Sequence, residues 1–99
     1  MNPQKIAEQV KNKEIILLDV RENSEWEAGH IQGARHVPLG ELNDLTTRDF
    51  PKDIPIYIYC RSGGRAGVAE SILQDLGFTN LKNLGGIIEW QEEGGELAK

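Results

Sequence analysis

The sequence predicts an α/β protein built on one small parallel sheet of four or five strands, with helices on both faces. Three observations carry that reading. Two short apolar runs, Ile15-Ile16-Leu17-Leu18 and Ile54 to Tyr59, have the brevity and branching of strands buried on both sides. Helical patterns separate the extended segments, so strand and helix alternate along the chain. The 99 residues suffice for one core and not for two, which makes 1–99 a single domain with its core over about 15–90.

The elements follow in order. Pro3 ahead of Ile6, Ala7 and Val10 predicts a short opening helix, because proline suits a first turn. The first strand is closed by Asp19. Ser24 with Glu27 three residues later reads as a capping box, giving a short helix to Ala28 that Gly29 ends. Arg35-His36-Val37 is a brief extended piece stopped by Pro38. Leu42 and Leu45 mark a helical turn before Pro51. The second strong strand spans Ile54 to Tyr59, and a helix runs from Arg65 with Ala69, Ile72, Leu73 and Leu76 on one face until Gly77. Phe78 to Leu84 reads as another strand, Gly85-Gly86 as a break, and Ile87, Ile88 and Trp90 as a final helix. The tail from Glu92 to Glu96 is acidic and reads as loose.

Composition narrows the function. The net charge of −5 argues against nucleic acid as a partner. No apolar stretch approaches a membrane span, and Met1 to Lys5 has no apolar leader, so a cytoplasmic location is expected with no membrane partner. The single cysteine forms no internal disulfide and fits a reducing compartment. One cysteine and two histidines without ligand spacing give no metal site, and no cofactor is expected.

That cysteine is Cys60, and it opens the loop Cys60-Arg61-Ser62-Gly63-Gly64-Arg65. Strand, glycine-rich turn, helix is an order that lets backbone N–H groups converge on an anion. The positive helix end and two flanking arginines favour the thiolate, which is the nucleophile. Ligands of open parallel sheets bind beyond the carboxyl ends of the strands, where Cys60 falls. Cys60 is therefore the candidate catalytic residue, with Arg61, Ser62, Gly63, Gly64 and Arg65 as the candidate substrate-binding loop. A small anion suits so local a positive spot better than a polyanion does.

Several further motifs complete a pattern. Asp19-Val20-Arg21-Glu22, Trp26, Gly29-His30-Ile31, Gly33-Ala34, His36-Val37-Pro38-Leu39, the Cys60 to Arg65 loop, and Leu84-Gly85-Gly86 with Trp90 resemble the rhodanese family, most closely its small single-domain members. The resemblance runs from about Ile15 to Trp90. It implies a sulfurtransferase in which Cys60 takes a sulfane sulfur from thiosulfate or a similar small anionic donor, carries it as a persulfide, and passes it to a thiol or protein acceptor. The amides from Arg61 to Arg65 would cradle the terminal sulfur, with Gly63 and Gly64 letting the backbone curl inward. Arg61 and Arg65 would attract the donor. With no second cysteine to resolve it, the loaded Cys60 must be discharged by another molecule. The chain begins at its first helix, so the N-terminal strand of many rhodaneses would have to fit into Met1-Asn2, and the strand count stays at four or five.

Other readings compete. A cysteine phosphatase or arsenate reductase also brackets an oxyanion loop with cysteine and arginine, but its interval is one residue longer than Arg61 to Gly64, and no aspartic general acid lies in this loop. A regulatory binding module, or a persulfide carrier acting with protein partners, is compatible with the same loop. His30 and His36 read as structural, Asp19 and Arg21 as an ion pair bracing the active edge, and Trp26 and Trp90 as core or rim aromatics.

Overall fold

A computed structural model describes residues 1–99. The elements are α1 (Pro3–Lys11), β1 (Ile16–Asp19), α2 (Asn23–Ala28), β2 (Arg35–His36), β3 (Ile56–Cys60), α3 (Gly64–Asp75), β4 (Leu81–Gly86) and α4 (Ile87–Glu92). The strands form one sheet in the order β2-β1-β3-β4, with every neighbour parallel. The count is therefore four.

Alternation along the strands sorts two cores. Ile16, Leu18 and Val20 of the first segment, with Ile56, Ile58 and Cys60 of β3, face Ala66, Ala69 and Leu73 of α3 and the ring pair Phe50 and Phe78. Ile15, Leu17 and Tyr59 face the other way, onto Ile6 of α1, Ile31, and Ile87 and Trp90 of α4. Side chains so fully enclosed as Leu17 and Leu18 each contribute roughly 1.5–3 kcal/mol by burial. Both faces are covered, which is why β1 is buried at every residue rather than alternating.

The structure departs from the sequence reading at element ends. Helix α2 starts at Asn23, and the residue ahead of it is Glu22, not Ser24. Glu25 stands three residues after Glu22, so its Oε1 reaches back to accept the Glu22 N–H at 3.0 Å. Around Leu42 the chain makes a 3-10 turn at Leu39–Glu41. Beyond it, Asn43 Oδ1 accepts the N–H groups of Leu45 and Thr46, an Asx turn in place of the expected helix. Strand β3 begins after Pro55 and includes Cys60.

The largest correction concerns Gly85-Gly86. These residues do not break the chain; they finish β4, paired with Tyr59 and Cys60. The register slips between Ile58 and Tyr59, leaving Leu84 as the extra residue of a bulge, and Gly85 takes φ +93° there. The tail is not loose either. Ala98 exchanges two backbone hydrogen bonds with His30, at 2.9 and 2.7 Å, and Trp90 Nε1 donates to the Glu96 carbonyl at 2.9 Å. No helix is long and apolar enough to cross a membrane.

Candidate active site

Cys60 ends β3 at the carboxyl edge of the sheet, only 1% exposed. The following residues turn back over it. Gly63 precedes α3 with φ +110°, a conformation that side chains oppose, and its N–H donates to Cys60 Sγ at 3.0 Å. A Cβ at Gly63 would also stand 3.3 Å from Gly85 Cα, so the loop lies directly on the β4 bulge. Gly86 is tighter still: a Cβ there would fall on the Arg61 carbonyl and the Ser62 backbone. Gly64 differs from the expectation. It is the first residue of α3, with open space where a Cβ would sit and no positive φ, so glycine is not needed there for backbone curvature.

One residue that organises this loop was not singled out from the sequence. Asn83 donates from Nδ2 to the Gly63 carbonyl at 3.0 Å and accepts the Gly85 N–H on Oδ1 at 2.8 Å. It locks the bulge to the loop. The signal available in the sequence was an asparagine two residues before a glycine, the spacing of an Asx turn. The Gly85 carbonyl lies 3.9 Å from Sγ, within reach of a weak thiol hydrogen bond only.

The two arginines part company. Arg61 is exposed, its side chain in no ion pair or hydrogen bond, while its carbonyl meets the Ile88 N–H at 3.5 Å. Ser62 is also exposed. Arg65, at the second position of α3, is gripped by Glu25: Nη1 to Oε1 is 2.6 Å and Nη2 to Oε2 is 2.9 Å. The hydrogen bonds from Arg65 hold the Glu25 carboxyl at about 2, well below its usual range, and the same contact raises Arg65.

At the carboxyl end of β1 is a buried ion pair. Asp19, wholly buried, binds Arg21 through Nε at 3.0 Å and Nη2 at 2.8 Å, and Nη2 also donates to the Gly29 carbonyl at 2.8 Å. Arg21 lies over the Tyr59 ring, whose hydroxyl accepts the Ile31 N–H at 3.2 Å. Burial pushes the Tyr59 phenol far above its usual range. The histidines are spoken for: His30 Nδ1 donates to the Trp26 carbonyl and His36 Nε2 to the Arg21 carbonyl, and both rings stack on Trp26. No group of three His, Cys, Asp or Glu side chains comes together to hold a metal ion.

The parallel four-stranded sheet carries a thiol cradled at its carboxyl edge. The sequence profile of the rhodanese-like domain matches residues 2–93, and the chain belongs to that family. It is 43% identical over 75 residues to the Bacillus subtilis protein YqhL, covering 75% of this chain and 59% of that one. It is 34% identical over 71 residues to the thiosulfate sulfurtransferase PspE of Escherichia coli, covering 71% of this chain and 68% of that protein. Among solved structures, the BH2092 protein of Bacillus halodurans superposes with a TM-score of 0.85 at 29% identity, over 99% of this chain and 74% of that one.

Proposed function

We propose that this protein is a sulfurtransferase that works through a persulfide on Cys60. The observation that carries the reading is the Gly63 N–H aimed at Cys60 Sγ from a loop folded back over the thiol. In the first step the Cys60 thiolate attacks the outer sulfur of thiosulfate or a similar donor. The donor's S–S bond breaks, sulfite leaves with the electron pair, and the sulfur stays on Cys60 as a persulfide. In the second step an acceptor thiolate attacks that terminal sulfur and Cys60 leaves as thiolate, a two-step covalent cycle.

The residues divide the work by position. The amides of the loop from Arg61 to Arg65 stabilise the charged sulfur, and the N-terminus of α3 adds a favourable field worth about 0.3–1 kcal/mol. Arg61, unpaired at the rim, draws in the anion. Asn83 ties the loop to β4 and so limits the reorganisation needed at the moment of attack. The relation to PspE supports thiosulfate as a donor.

The test is intact-protein mass after brief thiosulfate treatment, on wild type and Cys60→Ser, with and without a reductant. A gain of one sulfur atom on wild type alone, reversed by reductant, is the expected result. A gain that persists in Cys60→Ser removes Cys60 from the reaction.

A further inference from the structure

The second residue of α3 and the third residue of α2 meet beside the reactive loop, and their charges cancel. Arg65 lies within the field of Cys60 and of Glu22 as well as that of Glu25. On the β4 side, Glu89 packs over Gly85: a Cβ there would be 2.7 Å from Glu89 Oε1. The same Gly85 presents its carbonyl to Sγ. Around the loop, then, Arg21 is held by Asp19 and Arg65 by Glu25, with Glu22 and Glu89 as further carboxylates. Only Arg61 is free to meet a donor.

Resting on the sulfur-transfer reading, we propose that Glu25 is a specificity-determining residue: by occupying Arg65 it disfavours doubly charged donors such as thiosulfate relative to singly charged sulfane donors, organic persulfides and thiosulfonates among them. The transfer step is the same for each. The thiolate attacks the outer sulfur, the donor's S–S bond breaks, and the electron pair leaves on sulfite, on a thiolate or on a sulfinate. Only the charge brought to the loop differs. Coulomb energy is linear in that charge, so deleting one nearby carboxylate charge helps a dianion by the square of the factor by which it helps a monoanion.

The probes are thiosulfate and the methanethiosulfonate anion, which differ by a methyl in place of one oxygen and by one charge. The rate of sulfur loading on Cys60 is read by intact mass for wild type, Glu25→Gln, and the double variant Glu25→Gln with Arg65→Gln. Glutamine keeps an Oε1 acceptor for the Glu22 N–H. Glu25→Gln speeds thiosulfate loading on the order of tenfold and methanethiosulfonate loading about threefold. High salt shrinks the difference. The double variant loses one charge of each sign, so its ratio of the two rates returns to the wild-type value whatever its absolute rate. The ratio is also immune to partial unfolding, because both donors meet the same folded fraction. An unchanged ratio in Glu25→Gln, or equal slowing with both donors, overturns the proposal and leaves Glu25 as a positioning residue for Arg65. Wild-type protein that neither donor loads overturns the sulfur-transfer reading, and this inference with it.

Discussion

Gly63 donates its N–H to Cys60 Sγ across 3.0 Å while holding φ at +110°, so one residue both turns the loop and touches the thiol sulfur. Gly64, next to it, does neither.

The two glycines therefore respond differently to alanine. Gly63→Ala places a side chain in a left-handed conformation, at a cost of about 1–2 kcal/mol, and presses it on Gly85. Thiosulfate loading falls on the order of tenfold as the N–H moves off the sulfur, a loss the size of one hydrogen bond to a charged group. Gly64→Ala meets open space in a helical residue and leaves stability equal or up to about 1 kcal/mol higher. Urea unfolding and loading rates check the pair.

Asn83 acts on the same loop from β4. Asn83→Ala removes both hydrogen bonds that tie Gly63 to the bulge. Because the residue is exposed, water replaces part of them, and the stability loss is about 1 kcal/mol. Asn83→Asp keeps the acceptor for Gly85 but loses the donor to Gly63 and sets a carboxylate charge against that carbonyl, so its thiosulfate loading falls below that of Asn83→Ala.

The Glu25–Arg65 pair sets part of the acid limb of stability. Its carboxyl is lowered on folding to about 2, so its contribution is complete above the unfolded value near 4.5 and is lost as pH falls from there toward 2. Both side chains are about a third exposed, which limits the effect to about 1 kcal/mol. Unfolding free energies of wild type and Glu25→Gln differ by that amount at neutral pH and converge only as pH falls through about 2 and below it. A gap that persists well below that pH assigns the difference to packing instead.

The docked tail makes a further prediction. A chain ending at Gly95 loses the two His30–Ala98 hydrogen bonds, the Trp90 indole bond and the packing of Leu97 on Gly29. We expect a loss of about 2–3 kcal/mol, which in a domain of this size lowers Tm by roughly 8–24 °C. Thermal denaturation followed by tryptophan fluorescence reads it.

Much of this was written locally in the chain. Pro3 announces α1, the branched apolar runs announce β1 and β3, Gly77 follows α3, and Cys60 with its glycines and arginines announces the candidate loop. Each signal lies within a few residues of what it specifies, because caps, strand burial and helix propensity are short-range effects. The tertiary structure decided what depends on partners far along the chain. Glu25 claims Arg65 from 40 residues away, Asn83 reaches Gly63 from 20, and Ala98 pairs with His30. The Gly85-Gly86 pair looks like a break by propensity, yet it completes β4: Gly86 leaves no room for a side chain against the Arg61 carbonyl, and Gly85 holds a positive φ under Glu89. The sequence by itself determined that a thiol would stand at a strand end under a turning loop. Which arginine remains free to face a donor was decided only when folding brought Glu25 of α2 within reach of Arg65 of α3, since an ion pair depends on where two side chains meet in space.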